Sequence, residues 1–394
     1  MASTSPPVTP HSTTPTVHRF DRLHYEVVRL LVRLSNALDR FPPIDVRADG
    51  SSASHEPTLV AILDQLGARG ILGSRDDHSN SSEIKLASTG SDMNVAIIPG
   101  DATGGALVLK FTDSVVASAE LVKSSDIQTQ LTSDVRLASW SSYIPRVLAS
   151  GTVGATTFAV EQCLSSRDGR AVDDDPAATN ALIADALTVI NRFHRLSART
   201  RQVDDKVLAA VVDRPMIDLR ANTPAGIFRS RASSIDRLAA WLRQSLVGLD
   251  FEVGWTHGDY HLGNVLIDDL GNHVVGVVDW GRAESDGLTV LDGFTLIVLE
   301  RAKSAGKEIS PFLLELLKDC GVAQSERSHS DALGELRALL PGESKVDLRC
   351  LLMLTWLKHV ANNLKNEDRT RSHGLWRLRT VDLLLYGAIE IVGF

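Results

Sequence analysis

The stretch that most constrains this chain runs from residue 257 to 280. A tight polar loop, His257-Gly258-Asp259-Tyr260-His261-Leu262-Gly263-Asn264, leads into an apolar run and then Val277-Val278-Asp279-Trp280. Val265 to Asp268 and His273 to Trp280 flank the turn-forming tetrapeptide Asp269-Leu270-Gly271-Asn272, which predicts an isolated hairpin. Around it the pattern is helical: Asp175 to Leu196, Ile235 to Leu246 and several segments after Phe312 carry apolar residues at helical spacing. The first half reads differently. Glu83 to Ala87, Asn94 to Ile98 and Ala106 to Phe111 are short apolar or alternating runs that predict an antiparallel meander, followed by a helix over Val115 to Trp140 and a strand over Thr157 to Glu161. A strand-rich half followed by a helical half implies an α+β protein of two lobes with a cleft between them, joined through Ser165 to Asp174.

The divisions follow from composition. Residues 1–18, with Pro6, Pro7, Pro10 and Pro15 among hydroxyl residues, cannot bury enough surface to offset their ordering entropy and are predicted to be a disordered tail. Residues 19–55 form an N-terminal extension, whose apolar spacing predicts a helix from Phe20 to Phe41 that Pro42 and Pro43 stop. A second helix is predicted from Pro57 to Leu66. The strand-rich lobe then covers 56–162 and the helical lobe 163–394.

The net charge of −8 at pH 7, with both signs interspersed, offers no basic footprint for a nucleic acid. Cys163, Cys320 and Cys350 are too few and too scattered for a disulfide framework, so a reducing cytoplasm is the expected compartment. No apolar run is long enough to span a bilayer, and the N-terminus lacks the apolar core of a secretory signal.

The chemistry is carried by three residues of the constraining stretch. Phosphoryl transfer needs a carboxylate beside the attacking hydroxyl and hard oxygen ligands that hold magnesium against nucleotide phosphates. Asp259 suits the first role. The amide oxygen of Asn264, further round the same loop, and the carboxylate of Asp279, delivered by the far strand, suit the second. His257 sits behind the loop, where a ring nitrogen can bond backbone and hold its shape. His257 and His261 have no neighbouring Cys and no helical His pair with a catalytic Glu, so they do not complete a zinc site.

This segment resembles the catalytic loop and metal-binding strand of the aminoglycoside phosphotransferase and choline kinase-like family, relatives of protein kinases that phosphorylate small molecules. The resemblance extends more weakly over residues 56 to 300. It implies a protein-kinase-like fold, a small antiparallel-sheet lobe over a large helical lobe, with ATP and Mg2+ as cofactors and a small-molecule hydroxyl as acceptor. In that frame Ser88-Thr89-Gly90-Ser91-Asp92-Met93-Asn94 resembles the short nucleotide loop, with Ser88, Gly90 and Ser91 at the nucleotide, and Lys110 is the strand lysine that contacts phosphates. A lysine inside a buried strand demands an anionic partner. The expected one is Glu120 on the next helix, because the region around Gln130 has no glutamate.

Phe158-Ala159-Val160-Glu161-Gln162-Cys163 resembles the hinge strand, whose backbone at Glu161 and Cys163 is expected to pair with adenine. His194 in Asn191-Arg192-Phe193-His194-Arg195-Leu196 is expected to be structural. Gly287-Leu288-Thr289-Val290-Leu291-Asp292 stands where the family carries glycine, an acidic residue and proline ahead of a helix-opening aspartate; the intervening residues depart from that pattern, and Asp292 is expected to anchor the loop. Trp356, His359, Asn362, Asn363 and Trp376 lie where the resemblance implies part of an acceptor pocket. The implied function is transfer of the ATP γ-phosphate to a hydroxyl of an aminoglycoside or another sugar-containing natural product. Amino sugar, choline and homoserine kinases, and a non-catalytic ATP-binding module, are the alternatives.

Overall fold

A computed structural model describes residues 25–32, 56–72, 84–88, 93–100, 105–164, 166–222, 231–341, 345–364 and 376–394. The first sheet is built from β1 (Lys85–Ser88), β2 (Asn94–Ile98), β3 (Leu107–Thr112), β4 (Val147–Val153) and β5 (Thr156–Gln162), all antiparallel, in the order β1-β2-β3-β5-β4. Alternation gives it two unlike faces. Leu107, Leu109 and Phe111 of β3 join Phe158 and Val160 of β5 on one side, where Leu59, Ile62 and Leu66 of helix α2 (Glu56–Ala68) complete an apolar cluster. Val108, Lys110 and Glu161 belong to the other side, which helix α3 (Val115–Ser133) covers.

Helix α3 opens on the Ser114 side chain, which accepts from the Ala117 N–H, and ends at Asp134. The predicted helix to Trp140 is therefore too long. Asp134 turns its carboxylate onto the Arg136 N–H and starts a short 3-10 turn, and Trp140 drops into the core with its indole N–H on the Val189 carbonyl.

Helix α4 (Pro176–Ser197) begins with Asp175 capping two N–H groups and Pro176 in the first turn, where a missing N–H is harmless. Its buried stripe, Leu182, Ile183, Ala186, Val189, Ile190 and Phe193, meets Ile127 and Leu131 of α3 and the loop residues Tyr260, Leu262 and Trp280 in a second core. The candidate chemistry thus sits on packed aromatics: Trp140, Phe193 and Trp280 have ring centroids 4.7 to 5.8 Å apart.

Two three-stranded sheets occupy the second half. Strands β9 (Val265–Ile267) and β10 (Val274–Val277) form the expected hairpin, but it is not isolated, because the two-residue strand β6 (Arg167–Asp168) pairs along its free edge. The other sheet orders β7 (Arg199–Gln202), β8 (Asp250–Thr256) and β11 (Glu284–Leu288) as β11-β8-β7 and was not expected.

Helices α5 (Asp205–Leu208), α6 (Arg214–Asn222), α7 (Arg231–Leu246), α8 (Val290–Ser304), α9 (Ile309–Asp319), α10 (Ser330–Ala338), α11 (Leu348–Leu364) and α12 (Leu383–Val392) enclose the largest core. Helix α1 (residues 25–32) docks there, burying Tyr25, Val28 and Val32, so this part of the N-terminal extension attaches to the helical half. The rest of the predicted Phe20 to Phe41 helix and the 1–18 tail lie outside the described residues. Among the described residues no helix is long and apolar enough to cross a membrane.

Candidate active site

Strand β8 carries the chain into the loop at His257, and the loop is held mainly through its backbone. Asp292, in the first turn of α8 and buried, accepts from the His257 N–H at 2.8 Å and the Gly258 N–H at 2.9 Å. The same carboxylate meets His194 Nε2 at 2.9 Å. Burial alone would raise the Asp292 carboxyl, but the bond and charge of His194, with Lys358 and His257 nearby, outweigh it and hold the group below its ordinary range.

Gly258 has φ +80°, and a Cβ there would stand 2.2 Å from the Arg282 carbonyl oxygen, so the turn admits no side chain. The buried Glu300 accepts from the Leu262 N–H at 3.1 Å, and Asn362 of α11 donates to the Gly258 carbonyl at 3.0 Å.

His257 is wholly buried, and desolvation moves its pKa below the ordinary imidazole value of 6.5. The geometry requires the neutral ring: Nε2 donates to the Val278 carbonyl at 2.8 Å, while Nδ1 accepts from the Asp259 N–H at 3.3 Å. His257 therefore ties the loop to the strand end that delivers Asp279. Tyr260 anchors the loop downward, its hydroxyl on the Ala186 carbonyl.

These anchors leave Asp259 half-buried at the loop's apex. Asn264 donates from Nδ2 to the Asp259 carbonyl at 2.9 Å, which turns its amide oxygen away from that contact. Its backbone carbonyl accepts from the Val278 N–H at 2.9 Å, and Val265 faces Val277, so Asn264 and Asp279 are neighbours across the mouth of the hairpin. Asp279 has φ +61°, the one left-handed non-glycine conformation among the described residues, and its side chain is 64% exposed. A left-handed backbone costs about 1–3 kcal/mol in a residue other than glycine.

Lys110 reaches this carboxylate from the first sheet: its Nζ lies 3.1 Å from Glu161 Oε1 and 3.6 Å from Asp279 Oδ1. Burial would lower the ammonium's pKa, yet the two carboxylates outweigh it and raise the value, so the lysine is cationic.

One expectation is corrected here. Glu120 is not the partner of Lys110; it pairs with Arg282 at 2.9 Å, because its place on α3 aims it at the segment after Asp279 and not into the sheet. Part of the backbone edge expected at Glu161 and Cys163 is already paired within the sheet. β5 lies between β3 and β4, the Glu161 carboxylate is committed to Lys110, and the Cys163 N–H donates to the Ala106 carbonyl at 2.9 Å.

In the expected nucleotide loop, Ser88 pairs with Asn94 at the end of β1, and Gly90 and Ser91 lie outside the described residues. Of the residues named for the acceptor pocket, Trp356 is core, with its indole N–H on the Thr380 carbonyl, and Trp376 packs beside that core. Asn362 touches the 257–264 loop, and Asn363 donates to the His359 carbonyl one turn back. Sequence reasoning missed Glu300, whose only signal is an acid inside an apolar helix, and the pair of Lys358 with Glu284 at 3.1 Å beside Thr256.

No curated protein matches the chain. Among solved structures, the aminoglycoside phosphotransferase APH(3'')-Id from Streptomyces rimosus is similar at 18% identity with a TM-score of 0.43, over 76% of this chain and 98% of that one. A type VIII aminoglycoside-3'-phosphotransferase is similar at 19% identity with a TM-score of 0.37, over 67% and 96%. A glucosamine kinase is similar at 14% identity with a TM-score of 0.31, over 79% and 91%. The sequence match is more decisive: the model of the phosphotransferase enzyme family covers residues 84–287, just over half of the 394 residues, and takes in Lys110, the 257–264 loop and Asp279. The chain belongs to the phosphotransferase enzyme family.

Proposed function

We propose that this protein is an ATP-dependent small-molecule kinase that transfers the γ-phosphate to an acceptor hydroxyl. Residues 56–162 serve as its nucleotide lobe and 163–394 carry its catalytic loop and acceptor side. The observation that carries the reading is the convergence of a buried lysine from one half and a strained, exposed carboxylate from the other, 3.6 Å apart beside the Asn264 and Asp259 loop. Lys110 contacts the α- and β-phosphates. Asn264 and Asp279 offer an amide oxygen and a carboxylate, a hard donor pair suited to magnesium. When bound, that ion neutralises charge on the transferring phosphates.

Asp259 accepts a hydrogen bond from the acceptor hydroxyl and orients it for in-line attack, and the backbone anchors fix the carboxylate's position before substrate arrives. As the hydroxyl oxygen bonds to phosphorus and the bond to the departing ADP oxygen breaks, Asp259 takes up the hydroxyl proton. The acceptor is read as an aminoglycoside or another sugar-containing natural product, on the family's chemistry; of the polar α11 side chains, Asn362 meets the loop.

The test is magnesium-dependent ADP release against a panel of aminoglycosides, amino sugars and amino alcohols. Asp259→Ala should lower turnover by about a thousandfold while leaving nucleotide affinity within about threefold. Near-normal turnover in that variant would remove the assigned role. Nucleotide binding with no acceptor-dependent turnover across the panel would favour a non-catalytic ATP-binding module.

A further inference from the structure

We propose that Glu161 and Gln128 are the positioning residues for Lys110, so that the lysine is held by its own sheet and not by a carboxylate on helix α3. This assignment rests on the kinase reading. The sheet register dictates the contact: Glu161 faces Val108, Lys110 faces Ala159, and the two charged residues are therefore diagonal neighbours on one side of adjacent antiparallel strands. The pair is nearly dry, with the lysine side chain 15% exposed and the glutamate 3%. A charge so placed stays ionised only when its partner is fixed close by.

Helix α3 supplies no carboxylate to this site. Its buried stripe presents Leu121, Ser125 and Gln128 inward, its Asp126 is exposed, and its Glu120 is spent on Arg282. Gln128 is 1% exposed and stands against the ion pair. One orientation of its amide puts a nitrogen 3.3 Å from the Pro145 carbonyl; the other puts it 3.1 Å from Glu161 Oε1 and 3.3 Å from the Ser124 carbonyl. An amide oxygen against a buried carboxylate is repulsive, so the second orientation is assigned.

A glutamine is what this arrangement needs. It donates to Glu161, whereas a glutamate at 128 would put a second buried anion beside the first and raise the pKa of one of them. The strand acid and the helix amide are thus complementary. Because both members of the ion pair lie in one sheet, displacement of α3 would remove only the Gln128 hydrogen bond and leave the lysine in place.

The experiment is calorimetric titration of the full-length protein with Mg·ADP, which needs no acceptor, on the wild type, Glu161→Gln and the transposed double variant Glu161→Gln/Gln128→Glu. Thermal unfolding without nucleotide is run alongside. The expected result is an affinity loss of about tenfold or more in Glu161→Gln, with recovery to within about threefold of wild type when the carboxylate is returned from the helix. A merely structural role for Glu161 would not produce that recovery.

Wild-type-like affinity in Glu161→Gln, or a folded double variant no better than the single one, overturns the assignment while leaving the kinase reading intact. If Glu161→Gln does not fold, a folded and binding double variant supports the pairing, and failure of both to fold overturns it. A wild-type protein that binds no Mg·ADP sinks the kinase reading and this assignment with it.

Discussion

The 257–264 loop and the lysine that faces the strand after it are held in place by different means. Residues 257–264 are fixed by hydrogen bonds to their backbone, from Asp292, Glu300 and Asn362, and by a glycine turn closed against Arg282. Lys110 is fixed at its charged end, by carboxylates 3.1 and 3.6 Å away. Backbone anchoring sets the path of the chain whatever the outward side chains do, so the position of Asp259 does not depend on its own carboxylate. Ionic anchoring sets a single atom and depends on charge, dielectric and protonation. The first therefore suits a group that must be aimed, and the second suits a group that must carry charge to a phosphate.

The sharpest way to break this contrast is Asp292→Ala. The substitution leaves two loop N–H groups and a buried His194 without their shared acceptor, and removing one member of a buried charged network costs about 3–5 kcal/mol. Denaturant unfolding should report that loss, and turnover should fall with it even though no group that touches substrate has changed. A variant that keeps both stability and turnover would mean that the loop is held by its packing on Tyr260 and Leu262, and the contrast would collapse.

Acid should act next, through His257. Its folded pKa lies below 6.5 because burial penalises the cation, so the unfolded chain binds this proton more readily than the folded one. Its effect on stability is nil above pH 6.5 and turns unfavourable as pH falls from there toward the depressed folded value, by up to about 1.4 kcal/mol per pH unit. Other groups titrate in the same range, so the quantity to measure is the difference between wild type and His257→Gln in chemical unfolding at pH 7.5 and 5.5. The wild type should lose more. Equal losses would show that the imidazole takes a proton without disturbing the loop, against the requirement that Nδ1 accept from the Asp259 N–H.

What could be read in advance follows the same division. The loop's residues are contiguous, and local turn chemistry makes them recognisable; the hairpin after it and α4, expected over 175–196 and found over Pro176–Ser197, are set by short-range pattern. β7 is different. Its sequence, Arg-Thr-Arg-Gln, has no apolar alternation and is a strand only because it lies along β8. Glu161 is 51 positions beyond Lys110, and its role depends on strands β3 and β5 being neighbours in a particular register, which no local spacing encodes. Local spacing alone points to the following helix and so to Glu120.

The smallest effect discriminates best between the expected and observed pairing, and it concerns Glu120. Its bond to Arg282 at 2.9 Å links α3 to the segment after Asp279, but the two side chains are 40% and 20% exposed, so solvent screens the pair to about 1 kcal/mol or less. Glu120→Ala should therefore shift thermal stability slightly, with the shift shrinking at high salt, and should leave Mg·ADP affinity within about threefold. If Lys110 depended on Glu120, the same substitution would strip a buried ammonium of a counter-charge and weaken nucleotide binding as severely as Glu161→Gln is expected to. Titrating the two variants side by side places the partner on the helix or in the sheet, because the exposed pair and the dry one differ in how much water already does for them.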